Sequence, residues 1–542
     1  MPKFFERSLS AEREERGARS LTPRVVAFLG IFLSWWILTA LVFDDTQSNF
    51  LRGESGWYLF LSHSAPAVQH DFEKALLTKS FNGHYTPFAF LAEFATAKLI
   101  GTQAGFWKWR QITLLALLAT MLFLFVRNSG AAFQLSRVRA SLCAVGVTAV
   151  LIFQAQMRHF IAWPFMVLQL FWLLFTVMAL TSLVQMARRP AEKLWPWLAG
   201  AMAYASLHFL GLGLATVAAT ATALAGTWLG TRRRDPSNAS RLTAPLLSMI
   251  ALATLHAVVM LGLSWRPAIT PAPRWELISF VTEALGFLSN FALATVRNLF
   301  STSPPGAWQN PHDWPYGLAI LLGFGFLVGS AFLRLLKEPT ARNKIRFILQ
   351  AFASVSFLTI VALTAARQWH EPSPLGFADF LSGARYLIPS TFALAGVLVE
   401  LLFLLASAPL FLGAVLNVGL AICAIMGNLQ YAAHVYPKVY PGATISHANA
   451  WRSVVAMARE CRDANLSIPN VPLGALTQEF HDWDLKLFEP LLRADLRVSP
   501  GAPLQFTAWP GFTGEIPDEY KPSVPSLGEV RKRLKRETTA IP

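Results

Sequence analysis

The sequence predicts an all-α integral membrane protein with about eleven transmembrane helices, a long first external loop carrying interfacial helices, and a small external C-terminal tail domain. Three observations predict it. The 542 residues are 54% apolar and 14% charged, against roughly 45–50% and about 25% in soluble domains. The apolar residues are gathered into long runs, and Met202–Gly230 contains no charge at all; runs of roughly 18 residues or more of this kind read as membrane-spanning helices. The Lys and Arg residues cluster between the runs, the arrangement expected when basic loops stay on the cytoplasmic side.

The elements follow in order. Residues 1–24 carry Lys3, Arg7, Arg13, Arg16, Arg19 and Arg24 and form a basic cytoplasmic segment. The polytopic domain covers residues 25–430. Its first span is 25–43; it lacks a small-residue cleavage site, so it stays attached instead of being removed as a signal peptide. The later spans are near 106–127, 139–156, 161–187, 194–208, 209–230, 241–263, 315–336, 347–366, 387–407 and 409–428. With this count the basic clusters Arg188–Lys193, Arg232–Arg234 and Arg334–Arg346 all lie on the side of the basic N-terminus.

Two segments stand outside the count. Pro87–Gly101 is about 22 Å long as a helix, short for a hydrocarbon core of roughly 30 Å, and it carries Glu93 and Lys98; it reads as an interfacial helix. Leu277–Phe300 is long enough to cross, but Glu283, Asn290 and Arg297 recur every seven residues and form one polar stripe. It reads as an external interfacial or re-entrant helix. The external regions are then the first loop 44–105, a second long loop 264–314, and the tail 431–542. The tail has helix-like apolar spacing at Trp451–Leu466 and Leu476–Leu496.

The formal net charge is +15. In a soluble chain this would suggest nucleic acid, but no basic stripe is interleaved with exposed aromatic residues, so topology accounts for it. Cys143, Cys423 and Cys461 show no Cys/His spacing of a zinc site or disulfide framework. The ionisable residues gather in the external loops more than within the spans, which disfavours a transporter or lipid flippase; that class predicts charged or broken helices near the midplane and is the alternative reading.

The first external loop opens on Asp44-Asp45, directly after the first span. Partial desolvation at such a boundary makes a carboxylate a better base, although an acid pair there can also do no more than mark the membrane edge. The loop continues through Gly56-Trp57-Tyr58 and Phe81-Asn82-Gly83-His84-Tyr85-Thr86-Pro87-Phe88, and its second amphipathic stretch ends in Leu99-Ile100-Gly101. This layout resembles the GT-C glycosyltransferases, the polytopic superfamily that includes protein O-mannosyltransferases and bacterial aminoarabinose lipid A transferases. Late in the chain, Arg385-Tyr386-Leu387-Ile388-Pro389 resembles the entry to a late span in bacterial members.

The resemblance implies the following. The catalytic base falls on Asp44 or Asp45. Arg385, with Tyr386, meets the donor phosphate, for which a guanidinium fork is suited; the plainer reading of this pair is an interfacial anchor. His84 assists in headgroup or acceptor binding. The reaction is an inverting transfer of a sugar from a polyprenyl-phosphate donor to a glycan, lipid or protein acceptor on the non-cytoplasmic face of the bacterial inner membrane; the parity of the basic clusters, independently, puts the N-terminus inside and the tail outside. No particular cofactor is implied, and a divalent metal stays open. Arg158-His159, His208, His312-Asp313 and His370-Glu371 are further polar groups near external positions that match no motif, and His256, within a span, reads as a packed core histidine.

Overall fold

The computed structural model describes residues 25–46, 53–78, 85–209, 211–232, 234–264, 277–300, 311–370, 384–405, 409–434, 458–470 and 489–499, with a few isolated positions between and beyond them. The membrane part begins with α1 (Val25–Val42). Three short helices follow, α2 (Gly53–Ser62), α3 (Pro66–Thr78) and α4 (Pro87–Ile100). Next come α5 (Ala104–Gly130), α6 (Arg137–Ile152), α7 (Arg158–Ala162), α8 (Val167–Arg188), α9 (Leu194–Leu207), α10 (Gly213–Arg232) and α11 (Pro236–Ser264). The chain continues with α12 (Leu277–Phe300), α13 (Trp314–Lys337), α14 (Ala341–His370), α15 (Ala384–Ala393), α16 (Ala395–Leu405) and α17 (Leu410–His434). In the tail lie a helical stretch at 458–463 and α18 (Glu489–Leu496). The tail also holds a short parallel pairing of β1 (Ile468–Asn470) with β2 (Phe506–Ala508), which hydrophobic patterning had not foretold.

Among the described residues, eight helices are long and apolar enough to cross a membrane, or nine if the bent pair Arg137–Ile152 and Ala155–Ala162 counts as one. The apolar faces of α1, α13 and α17 are left open: Leu41, Phe326 and Phe411 are 69%, 75% and 81% exposed. Side chains of this kind, spread around whole helices, are those of a bundle whose solvent is lipid. The protein is an integral membrane protein with a polytopic helical fold.

The third and fourth predicted spans differ in detail. The helix of the third ends at Ile152, and the chain bends by 61° into Ala155–Ala162 before α8 begins at Val167. Pro164 explains part of this break, since proline cannot donate to a preceding turn. Gln154, Gln156, Arg158 and His159, all buried in this stretch, would be costly in a lipid-facing helix. The predicted span 387–407 is likewise interrupted at Leu394, between α15 and α16.

Two apolar cores are formed. The larger joins α1, α5, α6 and α8–α11 with α12 and α14–α17. The smaller joins Tyr58 and Leu59 of α2, Leu76 of α3, Phe90 and Phe94 of α4 and Leu168 of α8 with Ala458, Cys461, Leu491 and Leu492 of the tail. Thr102 also donates its hydroxyl to the Asp495 carboxylate at 2.7–2.8 Å. First loop and tail are therefore one packed body.

The helix at Leu277–Phe300 is long and apolar enough to cross a membrane. Phe291 meets Phe357 near the middle of α14, and Thr295 meets Ser390 at 2.8 Å. Leu285 lies so close to Gly317, near the start of α13, that a Cβ there would sit 1.9 Å from the Leu285 carbonyl oxygen; only glycine allows this approach. Asn290 of the polar stripe is buried and bonded to the Gly286 carbonyl at 3.0 Å.

Candidate functional site

The end of α1 is a short turn. The amide of Thr46 bonds to the Phe43 carbonyl at 3.0 Å, and Val42 and Phe43 are buried while Asp44 and Asp45 are exposed. The two acids thus leave the bundle at the point where the apolar run stops, as expected from the sequence.

What holds them is Arg158, whose side chain is fully buried. Its Nη1 donates to Asp45 Oδ1 at 2.5 Å and to Thr46 Oγ1 at 2.6 Å. Its Nη2 donates to the Val42 carbonyl at 3.0 Å, and its Nε to Asn428 Oδ1 at 3.0 Å. The guanidinium also lies 5.4 Å from the centre of the Phe43 ring. Asn428, buried on α17, donates in turn to the Gln154 carbonyl at 3.2 Å. A buried guanidinium is tolerable only when its donors are met in this way. One side chain therefore ties the end of α1 to α7 and α17.

Asp44 is held differently. Lys108, in the first turns of α5, donates to its backbone carbonyl at 2.5 Å and has its ammonium 3.7 Å from Asp44 Oδ1. The Asp44 side chain is 86% exposed. The acid pair is therefore divided: Asp45 is bound to a buried arginine, and Asp44 is open with a lysine beside it. The sequence reading singled out Arg158 without a role and passed over Lys108; the cue for both is a basic residue next to an apolar run near the acid pair's side of the membrane.

Arg385 and Tyr386 lie in the first turn of α15. Their side chains, and His84 altogether, are outside the described residues. The backbone of α15 packs against the turn at 155–157, immediately before Arg158. His312 and Asp313 form the turn leading into α13. His208 and His256 face each other with ring centres 5.0 Å apart, beside Tyr204 and Tyr85.

Two further acids are paired inside the protein. Glu93 on α4 is 2% exposed and is gripped by Arg110 of α5 through both carboxylate oxygens, at 2.6 and 3.2 Å. Burial pushes the Glu93 carboxyl above the ordinary carboxylate value, against the lowering pull of Arg110. Glu400 of α16 is bonded to Arg346 and Gln350 of α14, a pair the sequence reading did not anticipate within a span. Among the described residues no group of three or more His, Cys, Asp or Glu side chains is placed to hold a metal ion.

The fold and this site together define a polytopic helical membrane protein with an acid pair at the end of its first span, braced by a buried arginine. No protein family and no curated protein matches the chain. Among solved structures the chain is similar to the crystal structure of ArnT from Cupriavidus metallidurans bound to undecaprenyl phosphate, at 13% identity and a TM-score of 0.34, with 90% of each chain covered.

Proposed function

We propose that the protein is a membrane glycosyltransferase of the GT-C type that transfers a sugar from a polyprenyl-phosphate donor to an acceptor on the non-cytoplasmic face. The observation that carries this reading is the division of labour in the acid pair at the end of α1: Asp45 is anchored by the buried Arg158, and Asp44 is left open to solvent.

In this reading Asp44 is the general base. It takes the proton of the acceptor hydroxyl or amine as the nucleophile attacks the anomeric carbon. The bond from that carbon to the donor phosphate breaks, and the phosphate leaves as an anion. A leaving group that is already acidic needs no general acid, so one carboxylate suffices where hydrolases use two. A single displacement of this kind inverts the anomeric centre. Asp45 acts through Arg158 as a positioning residue that fixes the turn from which Asp44 projects. Lys108 places its ammonium beside Asp44, 3.7 Å from Oδ1. Arg385, at the start of α15, stabilises charge on the departing phosphate.

The packing of the tail also bears on topology. Two segments sealed together by buried side chains occupy one side of a membrane, so an even number of crossings separates the first loop from the tail. The sequence count places about ten spans between them. Counting α12 as well would make the number odd. This supports α12 as an external or re-entrant helix, and the tail as lying on the face of the first loop.

The test is transfer from a polyprenyl-phosphate sugar in proteoliposomes. Wild type should consume donor and release polyprenyl phosphate, and Asp44→Asn should not. Movement of the intact lipid-linked sugar across the bilayer, with no bond cleaved, would favour a flippase and overturn the proposal.

A further inference from the structure

A cavity of about 410 Å³ lies between α4, α5 and the start of α8, with Phe209 closing it from the α9–α10 turn. Ala92 and Thr96 of α4, Trp109 and Thr113 of α5, and Leu168 and Phe171 of α8 are among its walls. The volume falls in the range of roughly 300–1,000 Å³ typical of ligand pockets.

The walls are braced apart from within. Arg110 binds Glu93 across from α4 and also donates to the Pro164 carbonyl at 2.8 Å, just ahead of α8. The next residue, Gln111, donates to the Phe160 carbonyl at 2.6 Å. These bonds link all three walls at their polar end. The Glu93 carboxylate accepts from Arg110 at both oxygens, and the Thr96 hydroxyl is bonded to the Ala92 carbonyl at 2.7 Å. What remains open to an occupant is mostly apolar.

The mouth is marked by Phe106 and Trp109, 60% and 44% exposed. Trp36 of α1 stacks on Trp109 at 5.2 Å and donates to Thr113 Oγ1 at 3.2 Å. Trp36 belongs to the helix whose Leu29, Leu33 and Ile37 are exposed to lipid. The mouth is therefore continuous with the lipid-facing flank of α1, and tryptophans at such a place are typical of the membrane interface. An apolar cavity does not retain water, and here the neighbouring solvent is hydrocarbon.

The cavity is also separate from the acid pair. On α5, Phe106, Arg110 and Thr113 share one face by their spacing of three and four residues. Lys108, which meets Asp44, projects from the opposite side of the same helix turn. A prenyl donor with its reacting sugar at Asp44 would have to pass around α5 to fill this space.

We propose that the cavity between α4, α5 and α8 holds one acyl chain of a membrane phospholipid. The chain supports α4, whose other face carries Phe90 and Phe94 into the core shared with the tail. The proposal does not depend on glycosyl transfer.

The experiment uses the full chain in phosphatidylcholine nanodiscs containing phosphatidylcholine with a diazirine in its acyl chain. After irradiation, labelled peptides are mapped. Label is expected at 92–96 and 106–113, and excess undecaprenyl phosphate should leave it unchanged. Thr96→Trp, or Ala92→Leu if the larger replacement fails to fold, should remove this label while preserving label around Phe326 on the exposed face of α13. Absence of label at the cavity in wild type would overturn the proposal. So would displacement by undecaprenyl phosphate, which would make the occupant a prenyl chain, or unchanged label in the folded filling variant.

Discussion

Arg158 Nη1 lies 2.5 Å from Asp45 Oδ1, although 113 residues separate them. The arginine is fully buried and the carboxylate side chain is 58% exposed, so the pair sits at the boundary between the bundle and the first loop. Its value lies in position more than in Coulomb energy. Solvent screens the Asp45 side, whereas the other three partners of Arg158 are within the protein. The arginine also holds its aspartate in a single direction, and this leaves the neighbouring Asp44 pointing outward.

This predicts the behaviour of Arg158→Lys. The ammonium keeps the charge but cannot span Asp45, Thr46, Val42 and Asn428 together. Each buried polar group left unpaired costs about 1–3 kcal/mol. The variant should unfold at lower temperature in a detergent melting assay, and it should lose transfer rate at temperatures where it is still folded. Wild-type melting and wild-type rate would show that Arg158 holds neither the fold nor the site.

The two acids should respond differently. Asp44→Asn removes the proposed base and should lower the rate of sugar transfer by about 10²–10⁴, with melting unchanged because its side chain is exposed. Asp45→Asn keeps an oxygen for Arg158 and should lower the rate less while lowering the melting temperature. Measuring both in one preparation separates chemistry from positioning. Full transfer activity in an Asp44, Asp45 double asparagine variant would remove the acid pair from the mechanism.

The parts legible in the sequence are those that depend on local composition. Apolar runs identify spans because lipid contact needs no partner, and the acid pair is visible because it ends such a run. The role of Arg158 was not legible, because it depends on Asn428, 270 residues further on. Glu93 suggested an interfacial surface for α4, yet it is buried; its partner Arg110 is on the next helix, 17 residues away, and sequence spacing across a Gly-ended turn does not reveal whether two side chains meet. Asn290 presents the same difficulty. The polar stripe on α12 was visible, but not that this member turns into the protein and bonds to its own helix.

The topology prediction needs a reporter other than the native tail cysteine. Cys461 is 4% exposed, packed in the core shared by the tail and the first loop, and burial raises its thiol pKa, so it is a poor target. In a variant without native cysteines, Asp463→Cys provides an exposed thiol beside it, and Lys193→Cys probes the basic cluster between α8 and α9. An impermeant maleimide added to intact cells should modify the thiol at 463 and spare that at 193. Modification at 193 but not at 463 would reverse the assignment of faces. Modification of both would place them on one face, with an even number of crossings between them in place of the odd number proposed.

The last prediction concerns Arg385 and the donor phosphate. Arg385 is in the first turn of α15, where the positive end of a helix dipole adds to the attraction for an anion. The same helix borders the turn before Arg158. Arginine offers a planar fork that can bind two phosphate oxygens together, whereas lysine offers one mobile point charge. A charge-assisted contact of this kind is worth roughly 1.5–3 kcal/mol, so Arg385→Ala should weaken donor binding about ten- to a hundredfold. Arg385→Lys should recover only part of that loss. If Arg385 merely anchored the helix at the interface, lysine would snorkel equally well and neither substitution would change donor affinity. Titration of a polyprenyl-phosphate sugar against purified wild-type, lysine and alanine proteins distinguishes the two. Three equal affinities would leave Arg385 as an anchor, and the phosphate contact would have to come from another basic group near Asp44, with Lys108 the first to substitute.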